Sequence, residues 1–245
     1  LLKKLNKNIS TAKKYYKTQK DEHDLLKKFN LILAKTREDI VNKAIKLKKK
    51  ILIFDDGLQD RYVDYDLKFV CFDADKWIGN GRLIPSGPLR EKLESLNKYD
   101  AVFIKSRKKV DGYLIKSIKK INPKMKIFFT RYKVINSKKF NKNNNFLIFS
   151  GIGNTDDFKK TLIKNKFKIV KEITYPDHYK YKNKDIEEIK NQAKNINAKI
   201  ITSEKDYVKV KKFDKKNIKF LKTSLIIQNE KELFNFIKSN FYETN

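Results

Sequence analysis

Two adjacent carboxylates follow a short apolar run in the stretch ILIFDDGLQD, residues 51–60. An aspartate at the carboxyl end of a buried parallel strand is well placed to hold Mg²⁺ in phosphoryl transfer, and a cation between Asp55 and Asp56 would relieve their mutual repulsion. Gly57 would let the backbone turn sharply, and Gln59 would hydrogen-bond a ligand. The pattern therefore predicts a metal site, with a plain strand followed by an Asp-Gly turn as the alternative.

A long loop rich in glycine and proline, DKWIGNGRLIPSGPLRE, occupies residues 75–91. It ends with Arg90, whose planar guanidinium suits phosphate recognition, and with Glu91, which would orient the arginine or a ligand. We expect both residues in the first turn of a helix running from Leu89 to about Asn97. The alternative is a surface loop before a helix started by Pro88, in which Glu91 only favours the helix dipole.

Both histidines of the chain lie in short polar motifs. In TQKDEHDLL, residues 18–26, Asp21 and Glu22 precede His23 and an apolar helix face, which ordinary capping acids would also explain. In YPDHYKY, residues 175–181, His178 lies between an acid and aromatic residues. That setting suits a group that orients or exchanges a proton, although an exposed loop histidine is the alternative.

Short apolar runs alternate with amphipathic stretches along the chain, which predicts an α/β protein with a mostly parallel sheet. We expect a domain over residues 1–140 and a smaller α/β domain over residues 141–245, whose last helix packs back on the first. The polar stretch 131–145 is interpreted as a linker or an exposed hairpin. Predicted strands cover residues 30–34, 51–54, 67–72, 101–104, 125–130, 146–149, 167–173 and 198–202. One predicted helix opens at Thr36, one is capped by Thr155, and two cover 183–195 and about 230–240.

The composition bounds the class of protein. The net charge of +30 would suit binding to nucleic acid. However, only six residues are Arg and the lysines are scattered, so we do not predict nucleic acid as a partner. The positive charge predicts a weak attraction of the chain to an anionic membrane surface. No run of apolar residues is long enough to span a membrane. The single cysteine, Cys71, excludes a disulfide framework and is expected to be a small buried residue.

Taken in order, the motifs DDGLQ, GNGRLIPSGPLRE, FSGIGN, YPDHYKY and TSEKD resemble those of the tetraacyldisaccharide 4'-kinase, or lipid A 4'-kinase, family. The resemblance runs from about Lys17 to Val210. It implies a P-loop kinase-like fold and transfer of the ATP γ-phosphate to the 4'-hydroxyl of a tetraacylated disaccharide 1-phosphate, a lipid A precursor. It also implies a peripheral location at the cytoplasmic face of the bacterial inner membrane, with no protein partner predicted.

The resemblance further implies roles for eight residues and a requirement for ATP and Mg²⁺. One carboxylate would activate the acceptor hydroxyl with a histidine as its partner, three would hold the metal, and three residues would bind substrate or phosphate. Asp21 with His178 would activate the hydroxyl; Glu22, Asp55 and Asp56 would hold the metal; and Gln59, Arg90 and Glu91 would bind substrate or phosphate.

Three departures from the family pattern stand out. Asp60 replaces a histidine at the end of DDGLQ, and His23 replaces a proline after the acidic pair. No G-x-x-x-x-G-K-[ST] loop occurs in these residues, and the chain opens on Leu1 rather than Met. We therefore expect an N-terminally truncated chain that binds Mg-ATP poorly and is inactive alone. The alternatives are a basic, non-catalytic module that binds RNA or anionic membrane, and a P-loop kinase of another acceptor.

Overall fold

A computed structural model describes residues 8–16, 23–24, 26–60, 62–108, 110–210 and 216–242. The chain divides into two compact units. The first unit comprises residues 1–14, 32–132 and 225–245, and the second comprises residues 15–31 and 133–224. The sequence predicted a single boundary at residue 140. The division differs from it because residues 15–31 group with the second unit and residues 225–245 with the first.

A three-stranded parallel sheet forms the first part of unit 1. Its strands are β1 (Ile9–Lys14), β2 (Ile32–Ala34) and β3 (Ile51–Phe54), in the order β2-β1-β3. Helix α1 (Arg37–Lys46) begins after Thr36, whose Oγ1 accepts a hydrogen bond from the Asp39 N–H at 3.1 Å. Ile40 and Ala44 of α1 are buried against this sheet, so the helix fixes the edge at which β3 ends.

A four-stranded sheet forms the rest of unit 1, in the order β11-β6-β5-β4. Because side chains alternate along β5, Val102 and Ile104 pack with helix α2, whereas Ala101 packs with helix α6. Leu233 and Ile237 of α6 are buried in that second cluster. The elements are β4 (Phe69–Asp73), β5 (Ala101–Lys105), α2 (Gly112–Ile121), β6 (Lys126–Val134), β11 (Thr223–Ile227) and α6 (Glu230–Tyr242).

A doubly wound parallel sheet forms unit 2, in the order β10-β9-β7-β8. The chain passes from β7 to β8 on one side and then to β9 on the other, so the carboxyl ends of β7 and β9 flank a topological switch point. Helices cover the sheet and bury Leu162 on one cluster and Ile189 on another. The elements are β7 (Asn145–Ser150), α3 (Thr155–Lys164), β8 (Lys168–Thr174), α4 (Asn183–Asn195), β9 (Ala198–Ser203), α5 (Glu204–Lys209) and β10 (Ile218–Leu221).

Three local predictions are wrong. Arg90 and Glu91 do not lie in a helix: they precede a 3-10 helix, Leu93–Lys98. Helix α3 is capped by Asn154, whose Oδ1 accepts from the Asp157 N–H at 3.1 Å, so Thr155 is its first residue rather than its cap.

The third concerns the polar stretch 131–145, which is neither a linker nor an exposed hairpin. Strand β6 continues to Val134, and Val134 and Phe140 are both buried in the core of unit 2. Lysine and asparagine dominate this stretch and mask the two apolar anchors.

Cys71 is exposed, contrary to the prediction that it is buried. It lies in β4, which is an edge strand of its sheet. An apolar run in the sequence does not distinguish an edge strand from a central one, which explains the error. No helix among the described residues has the length and apolar character of a membrane span.

Candidate active site

The turn after β3 separates the two adjacent carboxylates. The Asp55 N–H donates to the Ala12 carbonyl at 2.9 Å and so extends the pairing of β3 with β1. Asp56 then adopts a left-handed conformation with φ of 57°. Tyr65 lies against Gly57: its hydroxyl donates to the Gly57 carbonyl at 3.0 Å, and a Cβ on Gly57 would lie 2.8 Å from that hydroxyl oxygen. The turn is therefore fixed, and the two acids take different partners.

Asp55 is paired with a lysine that sequence reasoning missed. The Lys13 Nζ lies 2.6 Å from the Asp55 Oδ2. The Lys13 side chain is only 8% exposed, whereas that of Asp55 is 51% exposed. Strand β1 places this lysine on the strand next to β3, so a buried positive charge lies directly behind one of the proposed metal ligands.

Asp56, Gln59, Arg90 and Glu91 form one hydrogen-bonded cluster in unit 1. An Arg90 guanidinium nitrogen donates to the Asp56 carboxylate and lies 3.5 Å from the Gln59 Oε1. The Gln59 Nε2 donates to the Glu91 Oε1 at 3.1 Å. The structure thus brings together two motifs that are 31 residues or more apart in sequence.

Tyr99 contacts this cluster through Glu91, and sequence reasoning missed this residue as well. Its hydroxyl donates to the Glu91 Oε2 at 2.7 Å. Burial alone would raise the pKa of Glu91, but hydrogen bonds from Tyr99, Gln59 and Ser95 outweigh it, and the pKa is lowered. Burial and then the bond to Glu91 raise the pKa of Tyr99 well above its usual value. Glu91 is therefore an ionised acceptor that orients the Gln59 amide.

Arg37 connects the turn to helix α1. One guanidinium nitrogen donates to the Asp60 carboxylate and another to the Asp56 carbonyl. The side chains of Arg37 and Asp60 are only 11% and 13% exposed. Asp60, whose role the sequence left open, therefore holds the arginine that fixes the backbone of Asp56.

The pairing of Asp60 predicts a dependence of stability on pH. The pKa of Asp60 is lowered, chiefly by the Tyr62 backbone N–H and then by Arg37. A carboxyl whose folded pKa is depressed stabilises the fold above its ordinary pKa, here 3.8, and loses that contribution as pH falls through the folded pKa. In urea unfolding, Asp60→Asn is expected to be less stable than wild type near neutral pH. The difference should shrink below pH 3.8; a difference that stays constant there would contradict the assignment.

His178 belongs to unit 2 and lies in the turn that follows β8. It has a left-handed φ of 58°, and its Nε2 lies 3.9 Å from the Asp177 Oδ2. The Lys205 Nζ lies 3.9 Å from the Asp177 Oδ1. The Gly-x-Gly turn after β7 packs on the same segment, since a Cβ on Gly153 would lie 3.0 Å from Asp177. The motifs FSGIGN, YPDHYKY and TSEKD thus meet at the carboxyl edge of this sheet.

The remaining predicted residues, Asp21 and Glu22, lie outside the described residues. The neighbouring His23 is buried, and its ring stacks on that of Tyr15 with centroids 5.5 Å apart. The only proposed metal ligands with described positions are therefore Asp55 and Asp56.

Asp55 and Asp56 could supply two of the ligands of a Mg²⁺ ion, but not a complete set. Within the described part of the chain, no group of three or more acidic, His or Cys side chains is placed to hold a metal ion. Mg²⁺ that is bound together with substrate phosphates usually takes only one or two carboxylates from the protein. Each of the two acids is half-exposed and faces a cation, Lys13 for Asp55 and Arg90 for Asp56. Two adjacent carboxylates at a sheet edge fit such an ion.

The mostly parallel sheets flanked by helices, with strand-end carboxylates beside an arginine, match the P-loop kinase-like fold class that the sequence predicts. A model of the tetraacyldisaccharide-1-P 4'-kinase (LpxK) family matches residues 9–242. The chain belongs to this family, as the motifs predicted.

Named relatives and a solved structure agree with the assignment. A tetraacyldisaccharide 4'-kinase of Pelagibacter ubique is 43% identical over 242 residues, covering 98% of this chain and 77% of that protein. Those of Rickettsia typhi and Rickettsia bellii are 35% and 36% identical, and the chain spans 58% of the length of each. The crystal structure of LpxK from Aquifex aeolicus in complex with ATP has a TM-score of 0.67 at 20% identity, covering 96% of this chain and 79% of that one. That likeness confirms the predicted fold class.

Proposed function

We propose that the activity of the gene product is transfer of the γ-phosphate of ATP to the 4'-hydroxyl of a tetraacylated glucosamine disaccharide 1-phosphate, a lipid A precursor. We also propose that residues 1–245 alone bind Mg-ATP poorly and transfer little phosphate, because they contain no G-x-x-x-x-G-K-[ST] loop. The chain's membership of the family supports the kinase activity. The observation that carries the proposal is the cluster of Asp56, Gln59, Arg90 and Glu91, because two separate family motifs converge there on one half-exposed sheet edge.

The reaction forms a bond between the acceptor oxygen and the γ-phosphorus as the bond to the leaving oxygen breaks, and ADP departs. The acceptor hydroxyl must lose its proton. We assign this step to Asp21, with His178 as the partner that orients it and shares the proton. Arg90 would offset charge on the transferred phosphoryl group, and Gln59, held by Glu91, would position it.

ATP and Mg²⁺ are the proposed cofactors. Asp55 and Asp56, together with Glu22, would hold the ion, which when bound neutralises phosphate charge. Lys13 and Arg90 hold the two described carboxylates in place.

The proposed location is the cytoplasmic face of the bacterial inner membrane, to which the chain would attach peripherally. Its net charge of +30 favours adsorption to anionic lipid headgroups. The acceptor's acyl chains would partition into the bilayer, which favours a reaction at such a surface.

A direct test follows acceptor phosphorylation by mass spectrometry, in the chain and in the complete open reading frame that encodes it. With the product of the complete reading frame, the disaccharide 1-phosphate should gain one phosphate in the presence of Mg-ATP, and the matched 4'-deoxy acceptor should gain none. Residues 1–245 alone should transfer much less phosphate. Transfer to an unrelated sugar or nucleotide in preference would favour a kinase of another acceptor. Salt-sensitive RNA or lipid binding without any transfer would favour a basic binding module.

A further inference from the structure

A closed loop, Arg82–Arg90, called the hairpin below, lies between β4 and β5, and a parallel bridge between Leu83 and Leu89 joins its ends. Three backbone hydrogen bonds close it: the Leu89 N–H to the Arg82 carbonyl at 3.1 Å, the Ile84 N–H to the Leu89 carbonyl at 2.8 Å, and the Gly87 N–H to the Leu83 carbonyl at 2.9 Å. These bonds tie the two ends of the loop together, and we call residues 83–86 its tip.

Asn80 locks the hairpin from inside. Its Nδ2 donates to the Ser86 carbonyl at 2.8 Å, and its Oδ1 accepts from the Arg82 N–H at 3.1 Å. A Cβ on Gly87 would lie 2.2 Å from the Asn80 Oδ1 and 2.3 Å from the Arg82 carbonyl oxygen, so only glycine fits. The hairpin is therefore built to hold one conformation.

That conformation holds apolar side chains in solvent. Ile84 is 62% exposed and Leu83 is 38% exposed, and Pro85 beside them is also exposed. Single exposed apolar residues are common on protein surfaces. A contiguous apolar surface that the backbone holds in solvent is different, because its burial against a partner would be favourable.

The charged side chains that line this tip are Arg82, Lys92 and Glu94, which give it a small net positive charge. An open cleft of about 690 Å³ runs along the hairpin and is lined by Leu83, Ile84, Arg82, Lys92 and Glu94, among others. Arg82 and Lys92 are exposed, and neither pairs with a carboxylate among the described residues. Arg37, Arg90 and Arg107, by contrast, each pair with an aspartate.

We propose that the tip of the Arg82–Arg90 hairpin docks the protein on an anionic phospholipid bilayer. Leu83, Ile84 and Pro85 enter the interface between headgroups and acyl chains, and Arg82 and Lys92 lie on lipid phosphates. An apolar wedge with a cationic rim matches this partner in both polarity and charge. A soluble protein partner would require a larger complementary surface than this tip offers.

The hairpin also connects the docking tip to the candidate active site. Ile84 is hydrogen-bonded across the hairpin to Leu89, and the next residue, Arg90, holds the Asp56 carboxylate. Docking would therefore bring the bilayer surface close to the carboxylate cluster. This inference deepens the proposed function by naming the element that meets the membrane in which the acceptor resides.

The test measures partition of the chain onto vesicles that contain a minority of an anionic phospholipid, by cosedimentation. Ile84→Asp is expected to weaken partition at least about fivefold, because it removes an apolar side chain from the interface and adds a negative charge. The matched control is Ile45→Asp on helix α1, where the side chain is 67% exposed and the charge change is identical. It should change partition less than about twofold.

A second variant separates charge from the apolar contact. Arg82→Gln is expected to weaken partition about fivefold at low salt, with a smaller effect at high salt and none on vesicles that are wholly zwitterionic. Equal partition of Ile84→Asp and Ile45→Asp would overturn the proposal. Both substitutions are at exposed positions, and thermal unfolding will verify that both variants are folded.

Phosphate transfer to the acceptor in detergent micelles distinguishes this proposal from the proposed function. Loss of vesicle binding by Ile84→Asp with transfer in micelles unchanged supports docking on the bilayer. Vesicle binding that persists while transfer falls would mean that the tip holds an acyl chain instead, and would overturn docking. If no variant and no wild-type protein transfers phosphate, but Ile84→Asp still loses vesicle binding, the proposed function fails and docking stands.

Discussion

Replacing Asp56 with asparagine is expected to lower the rate of phosphate transfer at least about 100-fold while the protein stays folded. The amide keeps the shape of the side chain but removes the negative charge that faces Arg90 and the proposed cation. Both members of this ion pair are more than half-exposed, so its loss should change the free energy of unfolding by no more than about 1 kcal/mol. Steady-state transfer and urea unfolding measure the two effects.

The control is Asp66→Asn, which makes the same change in charge at an exposed position in the same unit. Its transfer rate should stay within about threefold of wild type, because an exposed charge that does not belong to the cluster acts only through a screened potential. The assignment of Asp56 would be rejected if Asp56→Asn and Asp66→Asn had equal rates in the complete reading frame.

Replacing Asp55 with asparagine is expected to destabilise the protein by about 2–4 kcal/mol, much more than the same change at Asp56. The reason is the asymmetry of the Lys13–Asp55 pair: the lysine is buried, and the aspartate is half-exposed. Asp55→Asn leaves the buried ammonium without this carboxylate, and removal of one partner of a buried pair is far more damaging than removal of both.

A double-mutant cycle makes this prediction specific. Lys13→Met keeps the length of the side chain and removes the buried charge, so the Lys13→Met, Asp55→Asn double variant should be more stable than Asp55→Asn alone. Urea unfolding of the four proteins gives the interaction energy. Additive effects, or no difference between the Asp55 and Asp56 single variants, would show that Lys13 does not depend on Asp55.

Sequence reasoning placed the family motifs well because each motif carries its own backbone signal. The strand over residues 51–54 and the helix over 183–195 have the predicted bounds, and Thr36 caps α1 as expected. The apolar runs and the capping residue act locally, within a few positions. Arg90 and Gln59 could likewise be selected, since loop glycines and prolines concentrate around them.

No such local signal marks Lys13, Arg37 or Tyr99. Each is one residue of a common type, and its role arises only when distant segments meet: Lys13 with Asp55, Arg37 with Asp60, and Tyr99 with Glu91. Strand β1 was missed because its sequence, ISTAKK, contains small and charged residues rather than an apolar run. Its burial depends on the strands at both sides, which is a tertiary effect that local propensity does not report.

Helix α6 has a consequence for the order in which the chain can fold. Leu233 and Ile237 complete the cluster around Ala101 and Phe128, although these partners are synthesised much earlier. At 5–20 residues per second, the ribosome needs roughly 5–20 s to make the intervening chain. Throughout that interval, the face of the β4–β6 strands that carries Ala101 and Phe128 lacks helix α6. The β7–β10 sheet, by contrast, has all its strands before α6 emerges. The nascent first unit therefore depends on protection from aggregation, and cells that lack general chaperones should accumulate it in insoluble form.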